Sequence, residues 1–269
     1  MLTTDVKTEC AFPLAGRELH AQRLVINIGK INIGDGSLTV IAGPCSVESE
    51  EQIFTTAEAV ASSGAHILRG GAFKPRTSPY SFQGMGKEGL SLLSAAGKAH
   101  GLLTISEVMD TDTLDTVCQY VDILQVGSRN MQNFSLLKTL GTVDKPIFLK
   151  RGFAATYTDL LHAAEHILEK GNSRVILCER GIRTFEHSTR NTLDIGAVPM
   201  LHEMSRLPVF VDPSHGCGVR KIVPHLTRAA IAAGADGVML EVHPCPEQAL
   251  SDGHQSLSIT EFQQLRLSE

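Results

Sequence analysis

The sequence has 269 residues, of which 42% are hydrophobic and 5% aromatic, and its formal net charge is -5. This charge does not favour a nucleic-acid or membrane-surface partner, and no apolar run approaches the roughly 20 residues of a membrane span. Residues 1–14 have neither the cationic start nor the apolar stretch of a signal peptide, so we expect a cytoplasmic protein.

The predicted elements begin with a short hairpin. Residues 23–25 and 30–33 flank a turn that contains glycine, and residues 26–29 and 31–34 repeat the pattern Ile-Asn-Ile-Gly. We expect this hairpin to cover the N-terminal end of the domain that follows, and residues 1 to about 20 to form a poorly ordered arm. The sequence therefore divides into an N-terminal arm and hairpin, residues 1–37, and one large domain, residues 38–269.

Eight segments rich in Val, Ile and Leu follow, and each predicts a strand of a buried parallel sheet because its apolar residues do not alternate with polar ones. They are residues 38–42, 66–69, 102–107, 123–126, 146–150, 174–178, 208–211 and 237–241. Helical patterns lie between them, and glycines follow several of these, as is typical of helix ends. The predicted helices are residues 50–62, 88–99, 113–120, 133–139, 157–169 and 223–233.

This alternation predicts an α/β protein whose single main domain is a (β/α)8 TIM barrel, with a short N-terminal β-hairpin extension. A doubly wound open sheet is the alternative fold. It would place a Gly-rich phosphate turn, G-x-G-x-x-G, after an early strand, and the sequence contains none. We therefore favour the barrel.

Polar residues follow every predicted strand, at the end where barrel enzymes carry their chemistry. In strand order they are Cys45; Arg69, Lys74 and Arg76; Glu107; Arg129; Lys150 and Arg151; Glu179, Arg180 and Arg183; Asp212 and His215; Glu241 and His243. The eight lysines and arginines among them would meet at one mouth in a protein that is acidic overall. Unpaired cations next to buried strands are costly, so this cluster indicates a ligand with more than one phosphate or carboxylate.

Four residues near the strand ends offer ligands for a metal ion: Cys45, His215, Glu241 and Asp252. A thiolate, an imidazole and two carboxylates suit Mn²⁺, Zn²⁺, Co²⁺ or Fe²⁺. Their spacing is not a local motif, so the site depends on the fold. Taken singly, Cys45 is as well explained as a small buried residue and His215 as a hydrogen-bonded polar one.

Four longer segments resemble one enzyme family. They are residues 42–46 (Ala-Gly-Pro-Cys-Ser), 69–80 (Arg-Gly-Gly-Ala-Phe-Lys-Pro-Arg-Thr-Ser-Pro-Tyr), 178–185 (Cys-Glu-Arg-Gly-Ile-Arg-Thr-Phe) and 212–216 (Asp-Pro-Ser-His-Gly). They resemble the type I-beta 3-deoxy-D-arabino-heptulosonate 7-phosphate (DAHP) synthases, a branch that is itself similar to the 3-deoxy-D-manno-octulosonate 8-phosphate synthases. The likeness covers roughly residues 38 to 260. It implies condensation of phosphoenolpyruvate with erythrose 4-phosphate and water, the first step of the shikimate pathway.

The resemblance also implies roles for individual residues. The divalent metal, Mn²⁺ before Co²⁺, Zn²⁺ or Fe²⁺, would be held by Cys45, His215, Glu241 and Asp252. The positions that contact phosphoenolpyruvate are Arg69, Lys74, Arg129, Lys150, Arg180 and His215, and Ser128 is a further substrate-binding position. The positions that bind the aldose phosphate are Arg76, Thr77 and Ser78. Either Glu107 or Lys150 would handle the proton of the water, with His215 as a further catalytic residue.

Two alternatives to this activity stay open. Lys-Pro-Arg-Thr-Ser at residues 74–78 is the form seen with erythrose 4-phosphate, whereas the octulosonate synthases resemble Lys-Ala-Asn-Arg-Ser there and use arabinose 5-phosphate. A catalytically silent barrel that binds phosphometabolites would have lost ligand positions, and none is lost here. The departures from the family pattern are Cys217, Val219 and Cys245, of which Cys217 either perturbs the metal site or is a small buried residue.

The family also sets expectations for assembly and control. Its members form dimers and tetramers, so we expect a homodimer or homotetramer. Some members carry an added regulatory domain, for which residues 1–37 are too short. We therefore expect no feedback inhibition by aromatic amino acids unless a separate partner protein supplies it.

Overall fold

A computed structural model of the chain describes residues 10–74, 78 and 80–267. Its main sheet is a closed barrel of eight parallel strands in the order β10-β3-β4-β5-β6-β7-β8-β9, and β1 and β2 form a separate antiparallel pair. The strands are β1 Ile26–Ile28, β2 Ile31–Ile33, β3 Thr39–Gly43, β4 Ile67–Arg69, β5 Leu103–Glu107, β6 Ile123–Val126, β7 Ile147–Lys150, β8 Val175–Glu179, β9 Val209–Val211 and β10 Gly237–Glu241. The predicted barrel and its eight strands are confirmed.

Helices alternate with these strands. They are α1 Glu50–Ser62, α2 Gly86–His100, α3 Thr111–Tyr120, α4 Phe134–Leu140, α5 Tyr157–Leu168, α6 Ala197–Met204, α7 Pro213–Cys217, α8 Val223–Ala232 and α9 Ile259–Gln263. Local caps start several of them: the Ser49 side chain accepts from the N–H of Gln52, and Thr156 and Asp159 form a capping box. No helix within the described part of the chain is long and apolar enough to cross a membrane.

The six predicted helices are confirmed, but the sequence analysis missed α6 and the short helices α7 and α9. The reason is clearest for α6. Its third residue is Pro199, which resembles a helix breaker in the sequence. In the first turn of a helix, however, the N–H groups have no partner inside the helix, so proline removes no hydrogen bond there. The helix buries Ala197, Val198 and Leu201.

The barrel interior is closed at its N-terminal end by the hairpin. Ile26 and Ile33 are buried in the same apolar cluster as the inward residues of the barrel strands. The hairpin joins the barrel next to β9, where the N–H of Leu24 donates to the carbonyl of Arg206 at 2.8 Å. The inward residues of the barrel strands that form this cluster with Ile26 and Ile33 are Ile41, Ile67, Ile105, Ile123, Phe148, Ile176, Cys178, Phe210 and Met239.

The predicted first strand of the hairpin, residues 23–25, is wrong. The strands are the two Ile-Asn-Ile segments themselves, with Ile26 opposite Ile33 and Ile28 opposite Ile31. The turn falls at Gly29, whose φ of +59° is a left-handed conformation that glycine adopts without strain. This register turns Ile26 and Ile33 towards the barrel and leaves Asn27 exposed. Burial of the two isoleucines therefore determines the register of the hairpin.

The expectation of a poorly ordered arm is also wrong for residues 10–20. Ala15 is fully buried, and its N–H donates to the carboxylate of Glu165 on α5 at 2.7 Å. Its carbonyl accepts from the Ser205 hydroxyl at 2.8 Å and from the N–H of Arg206 at 2.9 Å. Sequence periodicity could not reveal this segment because side chains distant in the sequence hold it in place.

Candidate active site

A polar pocket opens at the C-terminal ends of the barrel strands. It collects most of the predicted site residues, although they come from loops that are far apart in sequence. Its lining consists of Arg69, Lys74, Glu107, Gln125, Gly127, Ser128, Arg129, Lys150, Phe153, Arg180, Arg190, His215 and Asp252. Predicted aldose-phosphate residues are not in this list: Ser78 lies in an exposed turn, and Arg76 and Thr77 lie outside the described residues.

The four predicted metal ligands lie together beside this pocket. One donor atom from each of Cys45, His215, Glu241 and Asp252 is within 4.8 Å of the others. The Cys45 Sγ lies 3.4 Å from Asp252 Oδ2, and His215 Nε2 lies 3.1 Å from Glu241 Oε1. One sulfur, one imidazole nitrogen and two carboxylates fit a divalent transition-metal ion.

Asp252 occupies an unusual backbone conformation, with a φ of +52°. Left-handed residues other than glycine are costly, and they concentrate at functional sites. The preceding residue, Ser251, places its hydroxyl 3.0 Å from the Cys45 Sγ. The strained turn therefore directs Asp252 into the cluster of four donors.

His215 is held by an acid on each side. Its Nδ1 lies 2.7 Å from Asp212 Oδ2, while its Nε2 faces Glu241. Burial lowers the pKa of His215, but the negative charges of Asp212 and Glu241 outweigh it and raise this pKa to about 9. A metal at Nε2 would have to displace that proton, and Asp212 would keep the ring oriented for the ion.

Three of the pocket cations contact the acidic and sulfur groups. Arg69 donates to Glu241 Oε1 at 2.8 Å, and Lys74 Nζ lies 3.0 Å from the Cys45 Sγ. Lys150 Nζ donates to the buried carboxylate of Asp212. These pairs join the cationic wall of the pocket to the metal-ligand cluster.

Arg151 does not join the pocket, contrary to the sequence prediction. Its guanidinium pairs with Glu179 at 2.8 Å and with Asp194 at 3.0 Å, and its Nε donates to the carbonyl of Ala155. Tyr157 donates to the same Asp194 carboxylate at 2.7 Å. This buried network anchors the long loop between β8 and α6, on which Arg180 and Arg190 lie.

Arg129 and Arg180 form no ion pair within residues 10–74, 78 and 80–267, although the charge of Asp212 acts on Arg180. The side chain of Arg180 is buried, and this burial lowers its pKa. Nearby, the buried hydroxyl of Ser128 has no hydrogen-bond partner in the described part of the chain. Buried polar groups are normally paired, so Arg180 and Ser128 are available for an anion in the pocket, and the exposed Arg129 lies beside them.

Glu107 lines the same pocket. Its carboxylate accepts from the Gln125 side chain at 3.1 Å and, across residues 10–74, 78 and 80–267, forms no ion pair. Gly127 gives it room, since a Cβ there would lie 2.1 Å from Glu107 Oε1. The carboxylate is half-buried and faces the pocket, as a proton acceptor requires.

Sequence reasoning missed Ser251 and two further residues that contact the metal-ligand cluster, Gln255 and Arg190. Gln255 is fully buried, donates to Glu241 Oε2 at 2.5 Å and accepts from Arg190 at 3.0 Å. Arg190 also lies 3.6 Å from Asp252. No sequence pattern near Gln255 or Arg190 indicates these contacts. Gln125, a pocket residue that was also missed, could have been found, because it is a polar residue within the apolar run 123–126.

The departures from the family pattern lie outside the four-donor cluster. Cys217 is buried, its Sγ lies 3.6 Å from the carbonyl of Val219, and burial raises the pKa of its thiol. Cys245 is exposed. For Cys217, the structure therefore favours the small buried residue over a metal ligand.

The sequence matches the DAHP synthetase I family over residues 15–268. A phospho-2-dehydro-3-deoxyheptonate aldolase of Thermotoga maritima is 52% identical over 254 residues, which cover 94% of this chain and 75% of that protein. A 2-dehydro-3-deoxyphosphooctonate aldolase of Geobacter sulfurreducens is 31% identical over 256 residues, which cover 88% of this chain and 93% of that protein.

Solved structures give the same relationship. The crystal structure of the Thermotoga maritima phospho-2-dehydro-3-deoxyheptonate aldolase (DAHP synthase) matches with a TM-score of 0.93 and 52% identity, covering 95% of this chain and 75% of that chain. A truncated form of the 3-deoxy-D-arabino-heptulosonate 7-phosphate synthase from Thermotoga maritima matches with a TM-score of 0.90 and 48% identity, covering 96% of this chain and 95% of that chain.

Proposed function

Since this chain belongs to the DAHP synthetase I family, we propose that it condenses phosphoenolpyruvate with erythrose 4-phosphate and water to give DAHP and phosphate. This reaction is the first step of the shikimate pathway, which leads to the aromatic amino acids. One observation carries the proposal: four metal-ligand donors within 4.8 Å of one another adjoin a pocket lined by Arg129 and Arg180. The 31% identity of the octulosonate relative makes arabinose 5-phosphate the weaker alternative.

The residues present fit a divalent metal ion. Cys45, His215, Glu241 and Asp252 would hold it, and we propose Mn²⁺ ahead of Co²⁺, Zn²⁺ or Fe²⁺. When bound, such an ion supplies Lewis-acid polarisation of the aldehyde oxygen. Asp212 orients the His215 ring, and Gln255 orients the Glu241 carboxylate.

The cationic wall binds the anionic groups of phosphoenolpyruvate. Arg129 and Arg180 each offer a planar fork of donors to a phosphate or carboxylate, and Ser128 offers a hydroxyl. Arg69, Lys74 and Lys150 add positive charge between these donors and the metal ligands. Holding both reactants against this wall lowers the entropic part of the barrier. We assign the aldose phosphate to Arg76, Thr77 and Ser78.

The bond changes follow from this arrangement. C3 of phosphoenolpyruvate forms the new bond to the aldehyde carbon, whose oxygen takes up a proton. Water adds at C2 and gives a proton to Glu107, which accepts one hydrogen bond, from the neutral Gln125. Glu107 passes this proton to the former aldehyde oxygen. The C–O bond to phosphate then breaks, and Lys150, which holds a proton at Nζ against Asp212, donates it to the departing phosphate. The C2 hydroxyl loses its proton to Lys150 as C2 becomes the ketone.

The test follows loss of phosphoenolpyruvate absorbance after treatment with EDTA and restoration of Mn²⁺. Parallel reactions contain erythrose 4-phosphate, arabinose 5-phosphate or no aldose. We expect metal-restored consumption with erythrose 4-phosphate alone. A preference for arabinose 5-phosphate would overturn the proposed aldose and keep the chemistry. Folded, metal-loaded protein that is inactive with both sugars would favour the silent barrel instead.

Four further properties remain predictions. We propose a homodimer or homotetramer, the division into residues 1–37 and 38–269, a cytoplasmic location and control, if any, through a separate regulatory partner. Sedimentation of the purified protein tests the oligomer. Addition of Phe, Tyr or Trp to the assay tests the regulation, because we expect none to change the rate of the isolated protein.

A further inference from the structure

Three arginines surround one aromatic ring at the mouth of the pocket. The guanidinium carbons of Arg180, Arg183 and Arg129 lie 4.6, 4.9 and 5.9 Å from the ring centroid of Phe153. Phe153 is half-buried in the loop after β7 and lines the pocket. All three distances are within the range in which a cation is attracted to an aromatic face.

Arg129 and Arg183 are exposed to water, whereas Arg180 needs another source of negative potential. No ion pair to Arg129, Arg180 or Arg183 occurs among the residues that the structure describes. Arg180 is in addition buried, where a cation without compensation is costly. The face of an aromatic ring is negative, and its attraction strengthens when the cation loses contact with water. The charge of the buried Asp212 carboxylate compensates Arg180 in part, and the face of Phe153 adds to that compensation.

The position of Phe153 also connects three loops. Arg129 lies after β6, Phe153 after β7, and Arg180 and Arg183 after β8. The N–H of Arg183 donates to the carbonyl of Phe153 at 2.7 Å. Arg183 therefore contacts Phe153 through its backbone as well as through its side chain. The ring is thus the common contact of cations that come from both adjacent loops.

We propose that Phe153 is a positioning residue that holds the guanidinium groups of Arg129 and Arg180, the two of these arginines that line the pocket, ready for the phosphate and carboxylate of phosphoenolpyruvate. The identity of the anion rests on the proposed function; the arrangement of the arginines does not. Donors fixed in advance lose less freedom when the ligand binds. The Phe153 side chain can neither give nor take a proton, so its loss should weaken binding and leave the chemical step nearly unchanged.

The experiment compares Phe153→Leu with Phe153→Tyr, which keeps the aromatic face. Phe12→Leu is the matched control, because Phe12 packs on His162 outside the pocket lining. We expect Phe153→Leu to raise the KM for phosphoenolpyruvate by about 3- to 30-fold, with kcat and the aldose KM within about twofold. Phe153→Tyr and Phe12→Leu should keep the wild-type KM.

A calorimetric titration of metal-stripped protein with phosphoenolpyruvate gives a second measurement that does not need turnover. The dissociation constant should rise for Phe153→Leu by the same factor as the KM. Unchanged binding in Phe153→Leu, or equal weakening in Phe153→Tyr, would overturn the aromatic role. A wild-type protein that binds phosphoenolpyruvate without turnover would contradict the proposed function, and the titration would still decide on Phe153.

Discussion

Glu107 and Lys150 both line the pocket, but their partners differ. Lys150 donates to the buried carboxylate of Asp212, whereas Glu107 accepts from the neutral side chain of Gln125. We therefore expect Glu107→Gln to lower kcat by about 100-fold or more while the unfolding temperature and phosphoenolpyruvate binding stay unchanged. Lys150→Met should lower kcat and also destabilise the fold by about 3–5 kcal/mol, since it removes one partner of a buried ion pair.

Steady-state kinetics and thermal unfolding of the two variants separate these effects. Gln125→Leu is a control for Glu107, because it removes the hydrogen bond and retains the carboxylate. A Glu107→Gln variant with normal kcat would exclude Glu107 as the proton acceptor. A Lys150→Met variant as stable as the wild type would show that Asp212 does not depend on this cation.

Gln255 is expected to tune the metal site. Its amide nitrogen faces Glu241 and its oxygen faces Arg190, so the two charges fix the orientation of the amide. Gln255→Leu should weaken Mn²⁺ binding about 10- to 100-fold, as is typical when a partner of a metal ligand is lost. A titration of EDTA-treated protein with Mn²⁺ measures this. Gln248→Leu, at an exposed position, should bind the ion normally, and equal affinities in both variants would contradict the role.

At the level of secondary-structure elements, the hairpin β1–β2 is the strongest case for a test. It closes the barrel floor with Ile26 and Ile33, which are 1% and 0% exposed. Replacing either with Ala should cost about 2–5 kcal/mol of unfolding free energy, because it leaves a cavity in the interior. Urea unfolding measures the loss, and kcat should be retained because the pocket lies at the opposite end of the barrel.

The exposed neighbour of these residues provides the control for the hairpin. Asn27→Ala changes the same strand without opening a cavity, so its unfolding free energy should stay within about 0.5 kcal/mol of the wild type. Similar losses in Asn27→Ala and Ile26→Ala would mean that the strand, rather than the buried isoleucine, provides the stability.

Elements were predictable from sequence where burial is uniform. Strands such as β6 and β7 are buried along their whole length, so an unbroken apolar run marks them. The first hairpin strand was misplaced because the hairpin strands are buried at one end only and have no unbroken apolar run. Helix α6 was missed because Pro199 is typical of a helix break. The segment around Ala15 has no periodic pattern and is held by Glu165 and Ser205, which no local rule connects to it.

At the level of the whole molecule, closure of the barrel explains why much of the site was predictable. Cys45 and Asp252 are 207 positions apart in sequence, yet their side chains lie 3.4 Å apart because β3 pairs with β10. Any residue that ends a strand must reach this mouth. Arg190 and Gln255 lie deep in long loops, where the fold class sets no position. Their contacts depend on how each loop folds back, which sequence pattern does not encode.

Metal removal tests the assembled site as a unit. The unfolded chain cannot bring together four donors from the ends of three strands and the loop after β10, so the ion should stabilise the folded state alone. Mn²⁺ at about 100 times its dissociation constant should add about 2.7 kcal/mol, which raises the Tm of EDTA-treated protein by several degrees. Cys45→Ser should lose most of this gain, whereas Cys217→Ser, a buried thiol outside the cluster, should keep it. An equal gain in both variants would place the stabilising ion elsewhere.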